Sequence, residues 1–230
     1  MLGQLFGGPV RKLKRAFERA AKNAPEGPLL DFYHADLPDF DAPISQIDMA
    51  AIDLETDGLD AASHAVLEAG IADMDTCAIH ASSARRIRFR PDAALNPGAV
   101  VVHRITDDAV AAAKPLEEAL AGVLAACAGK VLVAHFAEIE SAFLDAACKR
   151  VYGTGFVAPF ICTMQLETRW FPRQFAQDGL RLSKLRGRYG LPPYRAHDGL
   201  TDAVACGELL LAQLTHVARK DPPLVEVIRR

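Results

Sequence analysis

Residues 51–60 read AIDLETDGLD, and the fold turns on the two carboxylates inside that run. If Ala51 to Thr56 is a strand, side chains alternate with period two, so Asp53 and Glu55 project from one face while Ile52 and Leu54 enter the core from the other. Two like charges are then held side by side in apolar surroundings. Such a pair is destabilising unless one carboxylate keeps its proton or a cation lies between them.

Downstream, AVLEAGIADMD (65–75) and RRIRFRP (85–91) read as two more strands, close enough to the first for an antiparallel meander. The period then changes. PLEEALAGVLAACAG (115–129) is helical in pattern, KVLVAH (130–135) is a short apolar strand, and AEIESAFLDAACKRVYG (137–153) is again helical. A strand, helix, strand crossover sets KVLVAH parallel to the first strand and beside it. FVAPFICT (156–163) supplies a fifth strand, and LSKLRGRYG and DGLTDAVACGELLLAQLTHVARK supply helices, the last stopped by Pro222 and Pro223. The expected fold is α/β, a mixed five-stranded sheet with helices on both faces. Upstream, Val10, Leu13, Phe17, Ala20 and Ala21 recur at helical spacing in a basic amphipathic helix, whose apolar stripe packs either on the main domain or on a partner protein. ADLPDFDAPISQ (35–46) is a connector, which divides the chain into an N-terminal helix and linker (1–46), a main domain (47–217) and a C-terminal tail (218–230).

With 50% hydrophobic and 24% charged residues in 230, composition is that of a soluble globular protein and argues against disorder. No apolar run approaches the roughly 18 residues of a membrane span, and the N-terminus lacks the apolar stretch of a secretory signal, so a cytoplasmic setting without a membrane is expected. Five cysteines, odd in number and without CxxC spacing, read as free thiols. The net charge of −3 conceals a segregation. Residues 1–22 carry six Lys/Arg against Glu18 alone, and residues 169–195 carry seven against Asp178 alone, leaving the rest strongly acidic. Basic patches on an acidic body suit a locally anionic partner such as a nucleic-acid backbone, or are simply solvated faces.

KVLVAH beside the first strand brings the next helix near that strand's carboxyl end, with Glu140 in its first turn. A third carboxylate thus approaches the pair. In AHDGLTDAV, His197 and Asp202 are five residues apart and would diverge by roughly 140° within one helix. His197 therefore belongs outside the helix, with Asp198 as N-cap and Asp202 in the first turn. Four carboxylates and no thiols suit hard cations, Mg²⁺ or Mn²⁺. Two such ions, about 3.5–4 Å apart, could activate a water and stabilise the leaving oxygen of a phosphodiester. His197 suits a general base, since an unperturbed imidazole titrates near pH 6.5.

D-L-E-T-D-G-L, V-A-H-x4-E-x2-F-L and H-x4-D, in this order, resemble the three motifs of the DEDDh 3′→5′ exonucleases, a family that includes the proofreading subunit of the bacterial replicative polymerase, ribonuclease T and oligoribonuclease. VVHRITDDAV (101–110) adds to the likeness, which covers about residues 47 to 215. The resemblance implies a ribonuclease H-like fold, with Asp53, Glu55, Glu140 and Asp202 holding two ions and His197 as base. It also implies a nucleic-acid substrate with a free 3′ end, released as nucleoside 5′-monophosphates. The turn from Thr56 through Gly58 to Leu59 would then lie on the terminal nucleotide, Leu59 wedging the last base, with His103, Ile105 and Phe136 also contacting substrate. Departures stand beside it: Phe136 replaces a usual Asn, Glu140 a usual Asp with Glu138 close by, Arg104 a usual Gly, and Cys162 a frequent Asp. The likeness to the proofreading branch favours single-stranded DNA, with RNA ends or short oligoribonucleotides second. A non-catalytic module that binds nucleic-acid ends or a protein is the rival from another class. Trp170, Phe171, Phe175, Tyr189 and Tyr194, interleaved with basic residues, are either stacking platforms or core. His135 reads as a packed or hydrogen-bonded histidine.

Overall fold

Period-two alternation in the strand containing AIDLET sorts the molecule into two layers around one sheet. The computed structural model describes residues 3–90, 113–171, 179–217 and 219–229, with side chains from residue 8 onward. The central strand is β1 (Met49–Thr56); β2 (Val66–Met74) pairs antiparallel with it and β3 (Arg85–Arg88) antiparallel with β2. On its other side β4 (Val131–Ala134) runs parallel to β1, and β5 (Phe160–Cys162) parallel to β4, giving the order β3-β2-β1-β4-β5. This is the mixed sheet that the hydrophobic periods predict.

On one face Ala50, Ile52 and Leu54 meet α1 (Gly3–Asn23), α2 (Pro28–His34), α3 (Leu116–Cys127) and α4 (Glu138–Tyr152) through Phe17, Leu29, Phe32, Leu120, Leu124 and Phe143. The other face carries Met49 and Ala51 against α5 (Thr163–Trp170), α7 (Gly199–His216) and α8 (Leu224–Val227), with Leu166, Cys206, Leu210 and Leu224 at the contact. Between them runs the short α6 (Leu182–Arg188). The segment before Ile47 and the segment after His216 both contribute fully buried side chains, Leu29 and Leu224 among them.

Three local features differ from expectation. Residues 28–34, to which no element is assigned from the sequence, form a helix ahead of the 35–46 connector, Pro28 occupying the first turn, where a missing N–H costs nothing. The fifth strand shrinks to Phe160–Cys162 because α5 begins at once with Thr163. The last long helix ends at His216, short of Pro222. Cys127, Cys148, Cys162 and Cys206 are buried free thiols and Cys77 is exposed. Among the described residues, no helix is long and apolar enough to cross a membrane.

Candidate active site

Asp53 and Glu55 continue the Met49/Ala51 face of β1, the face that α7 covers, so the strand itself aims both carboxylates at the helix. Asp198 caps α7, its Oδ1 accepting from the Thr201 amide at 3.0 Å and hydroxyl at 2.7 Å. Asp202 projects from the first turn. One oxygen each of Asp53, Glu55 and Asp202 lie within 4.8 Å of one another. His197 lies just outside the helix in the left-handed region, φ 68°, and its amide donates to Asp202 Oδ2 at 2.7 Å. It sits close enough to Glu55 for its charge to favour that group's ionisation.

Glu140 stands outside this triangle of oxygens. It lies in the first turn of α4, beyond the carboxyl end of β4, is buried, and its Oε2 accepts no hydrogen bond. Its charge nonetheless bears on Asp53. The nearby Glu138 turns one oxygen to the Gln165 amide instead. Burial, followed by the charges of Glu140, Asp202 and Glu55, holds the Asp53 carboxyl well above the usual carboxylate range. Burial and Asp202 lift Glu55 to about 7, His197 opposing them. Burial lifts Glu140 to about 8, with Glu138 adding to it and its own backbone N–H and Arg229 opposing. Acids that crowd until they resist ionisation, one with an orphaned buried oxygen, make a hard-oxygen donor set fitted to divalent cations.

Around the acids, Leu59 is 81% exposed and Phe136 44% exposed, the two large apolar side chains that stand out from the described surface. Phe136 has φ 68°, a costly conformation for an aromatic residue, at the junction of β4 and α4. Thr56 donates its hydroxyl to the Gly58 carbonyl at 2.6 Å, and a Cβ on Gly58 would strike the His64 ring. His103 and Ile105 lie outside the described residues.

Three contributors escape the motif reading. Gly70 is opposite Asp53 across β1 and β2, and a Cβ there would lie 2.1 Å from the Gly199 carbonyl carbon. The missing side chain lets the start of α7 sit on the sheet, which places His197 and Asp202 over the strand acids. A glycine inside a strand is the available signal for such an approach. Arg86 bonds Glu68, the cross-strand neighbour of Glu55, at 3.1 Å and both oxygens of Asp198 at 2.6 Å, tying β3 to the cap of α7. Tyr194 donates to Asp202 Oδ1 at 2.6 Å, with the buried Arg186 guanidinium 4.9 Å from its ring centre.

Of the other aromatics, Tyr189 packs edge-on with Phe171 and His216 and bonds Glu167, while Trp170 leans on the second core. Phe175 is outside the described residues. His135 bonds Thr163 Oγ1 and the Leu180 carbonyl, a structural tie.

The sequence matches the family described as exonuclease, of the RNase T type, over residues 50–210. A relative, DNA polymerase III subunit epsilon of Treponema pallidum (strain Nichols), is 29% identical over 171 residues, 74% of this chain and 78% of that protein. Among solved structures, the nuclease domain of 3′hExo, a DEDDh family member bound to rAMP, superposes with TM-score 0.65 at 17% identity, covering 81% of this chain and 98% of that one. Exonuclease X in complex with 5′ overhanging duplex DNA superposes with TM-score 0.58 at 23% identity, covering 78% and 98%.

Proposed function

Because this chain belongs to the DEDDh exonuclease family, we propose that it removes nucleotides from the 3′ end of single-stranded DNA as nucleoside 5′-monophosphates, with Mg²⁺ or Mn²⁺. The observation that carries this reading is the set of three carboxylate oxygens within 4.8 Å, with the unpartnered oxygen of Glu140 nearby. Divalent cations held by Asp53, Glu55, Glu140 and Asp202 would neutralise the phosphodiester and supply Lewis acidity. His197, on a loop secured to Asp202 through its own amide, accepts the proton of the attacking water. Leu59 and Phe136 offer apolar surface to the terminal base, and Thr56 and Gly58 set the turn that carries Leu59. Base stacking of this kind is sequence-tolerant, as removal of successive nucleotides requires.

DNA is favoured by the likeness to a polymerase subunit. Buried free thiols support a cytoplasmic setting. The test is degradation of 5′-labelled single-stranded DNA and RNA of one sequence with Mg²⁺, Mn²⁺ or EDTA, wild type beside Asp53→Asn. A ladder shortening from the 3′ end, stronger on DNA and absent with EDTA or in the variant, is the expected result. Intact substrates with either metal would overturn the catalytic reading in favour of a binding module.

A further inference from the structure

Among its described side chains the first helix has spent its apolar face. Phe17 and Ala20 are buried in one core and Val10 and Leu13 pack against the other, so none of these four is left for the helix-in-groove docking that partner proteins use. What remains outside is charge. Arg11, Lys12, Arg15, Arg19 and Lys22 are all exposed, and at 100° per residue they fall within an arc of about 100° that extends about 17 Å along the axis. Elsewhere on the described surface several cations have acidic partners, Lys114 with Glu118, Lys130 with Asp73, Lys149 with Asp145, Arg86 and Arg88 with Glu68, while exposed Arg181, Lys184, Arg195 and Lys220 are scattered rather than aligned on one helix face. The stripe has no such ion pair among the described residues. Like charges at i, i+4, as in Arg11, Arg15 and Arg19, repel one another and disfavour the helix unless an anion relieves them.

The helix also has a direction. Pro9 and Lys12 line the same groove as Glu138 and Arg229 at the head of α4, the turn that bears Glu140. At the far end Thr154, past the tail of α4, donates to the Asn23 carbonyl at 2.8 Å. So α1 runs parallel to α4, from the end of that helix whose first turn bears Glu140 toward the end remote from it.

We propose that this face is a track for the phosphate backbone of the strand whose 3′ end occupies the acidic site. The inference rests on the nuclease reading above. A lone anion would need one or two of these cations; a linear array of five suits an extended polyanion, held by charge and independent of sequence. Because the array is displaced along α1, only strands long enough to reach it gain from it.

The test combines Arg11→Gln, Arg15→Gln, Arg19→Gln and Lys22→Gln. Binding of labelled oligo(dT) 3-mer and 20-mer is measured by anisotropy in EDTA across a salt series, and cleavage of both is measured with Mg²⁺ or Mn²⁺. For the 20-mer, affinity should fall at least tenfold near 0.1 M salt, and the log K against log salt slope should become shallower by about 2–3, at roughly 0.7 per lost phosphate contact. Trimer cleavage should stay at the wild-type value, and the melting temperature should match or slightly exceed wild type, since the like-charge repulsion along the helix is relieved. An unchanged 20-mer, or equal loss on both lengths, overturns the track. So does an unchanged 20-mer accompanied by lost binding to anionic vesicles or an acidic protein, which would assign the stripe to another polyanion. If wild type cleaves neither length yet binds the 20-mer through the stripe, the catalytic reading fails and the track stands.

Discussion

Glu167 on α5 and Glu140 on α4 are both carboxylates shut away from water, in opposite company. Glu167 accepts from the Tyr189 hydroxyl at 2.8 Å and the Gln213 amide at 2.9 Å, and its other oxygen faces the Arg188 guanidinium at 3.8 Å. Glu140, like Glu167, leaves one buried oxygen without a hydrogen bond, but it shares its end of the sheet with the acids Asp53, Glu55 and Asp202. Donors around a buried acid make it structural. Other acids around it make it a site that is complete only with cations.

The largest effect that would break this contrast is at the acidic cluster. Asp53→Asn should lower the exonuclease rate about 10³-fold or more if, as proposed, it removes a cation ligand central to the cluster. Its melting temperature in EDTA at pH 8 should match or exceed wild type, because one member of a repelling group is gone. Loss of fold with loss of activity would mean that Asp53 is structural, and the contrast fails.

Glu167→Ala should behave the other way. Tyr189 and Gln213 lose their shared acceptor inside the protein, at a cost of about 2–4 kcal/mol measured by urea unfolding. Mn²⁺ affinity by calorimetry should stay within about twofold of wild type, the scatter expected of a site not directly touched.

The contrast also shows what the sequence reveals. β1 is legible because a period-two pattern states which side chains share a face, and AIDLET carries that pattern into its acids. Crossover handedness and helical spacing then locate β4 and the first turn of α4. Contacts between distant segments are not written that way. Nothing local in AGIAD (69–73) says that Gly70 will meet Gly199, and nothing in RYGLPPYRAHD (188–198) separates Tyr194, which bonds Asp202, from Tyr189, which bonds Glu167. The seven residues of α2 are too few for a period to stand out, and its helix is specified by burial of Leu29, Phe32 and Tyr33.

Gly70→Ala sharpens the comparison at its long-range joint. A methyl 2.1 Å from the Gly199 backbone must push α7 off the sheet. The expected result is a loss of about 1–3 kcal/mol of stability, as for overpacking elsewhere. Activity should fall about 10–100-fold, since small misplacement of catalytic groups has effects of that size. A variant with wild-type rate would show that the acids find their places without this contact.

pH offers a gentler probe, without metal. Glu55 at about 7 and Glu140 at about 8 lie above the ordinary carboxylate value, so the folded protein holds protons that the unfolded chain has lost. Stability should therefore be full below about pH 4.5 as far as these groups are concerned, and fall as pH rises through 7 to 8. The melting temperature in EDTA should drop by several degrees between pH 6 and pH 8.5, and Mn²⁺ should restore it. A flat profile would mean that the acids are relieved from within, as Glu167 is.

Tyr194 is where the two environments meet, a structural donor placed on an acid of the cluster. Its hydroxyl, its proton held more firmly than usual by burial and by the Asp202 bond, fixes Asp202 Oδ1, while the His197 and Asp198 amides fix Oδ2. Arg186, bonded to the Ala205 and Pro192 carbonyls and to Glu208, supports the ring from behind. Tyr194→Phe keeps that packing and deletes one hydrogen bond to a charged group, about 1.5 kcal/mol or somewhat more. If the bond orients Asp202 for a cation, the variant should need roughly tenfold more Mn²⁺ for half-saturation, in calorimetry and in rate alike, with the rate recovered at saturating metal. If it only relieves Asp202 of its neighbours' charge, stability in EDTA should fall while Mn²⁺ affinity holds. The two outcomes assign Tyr194 to the acidic cluster or to the donor-rich environment that Glu167 exemplifies.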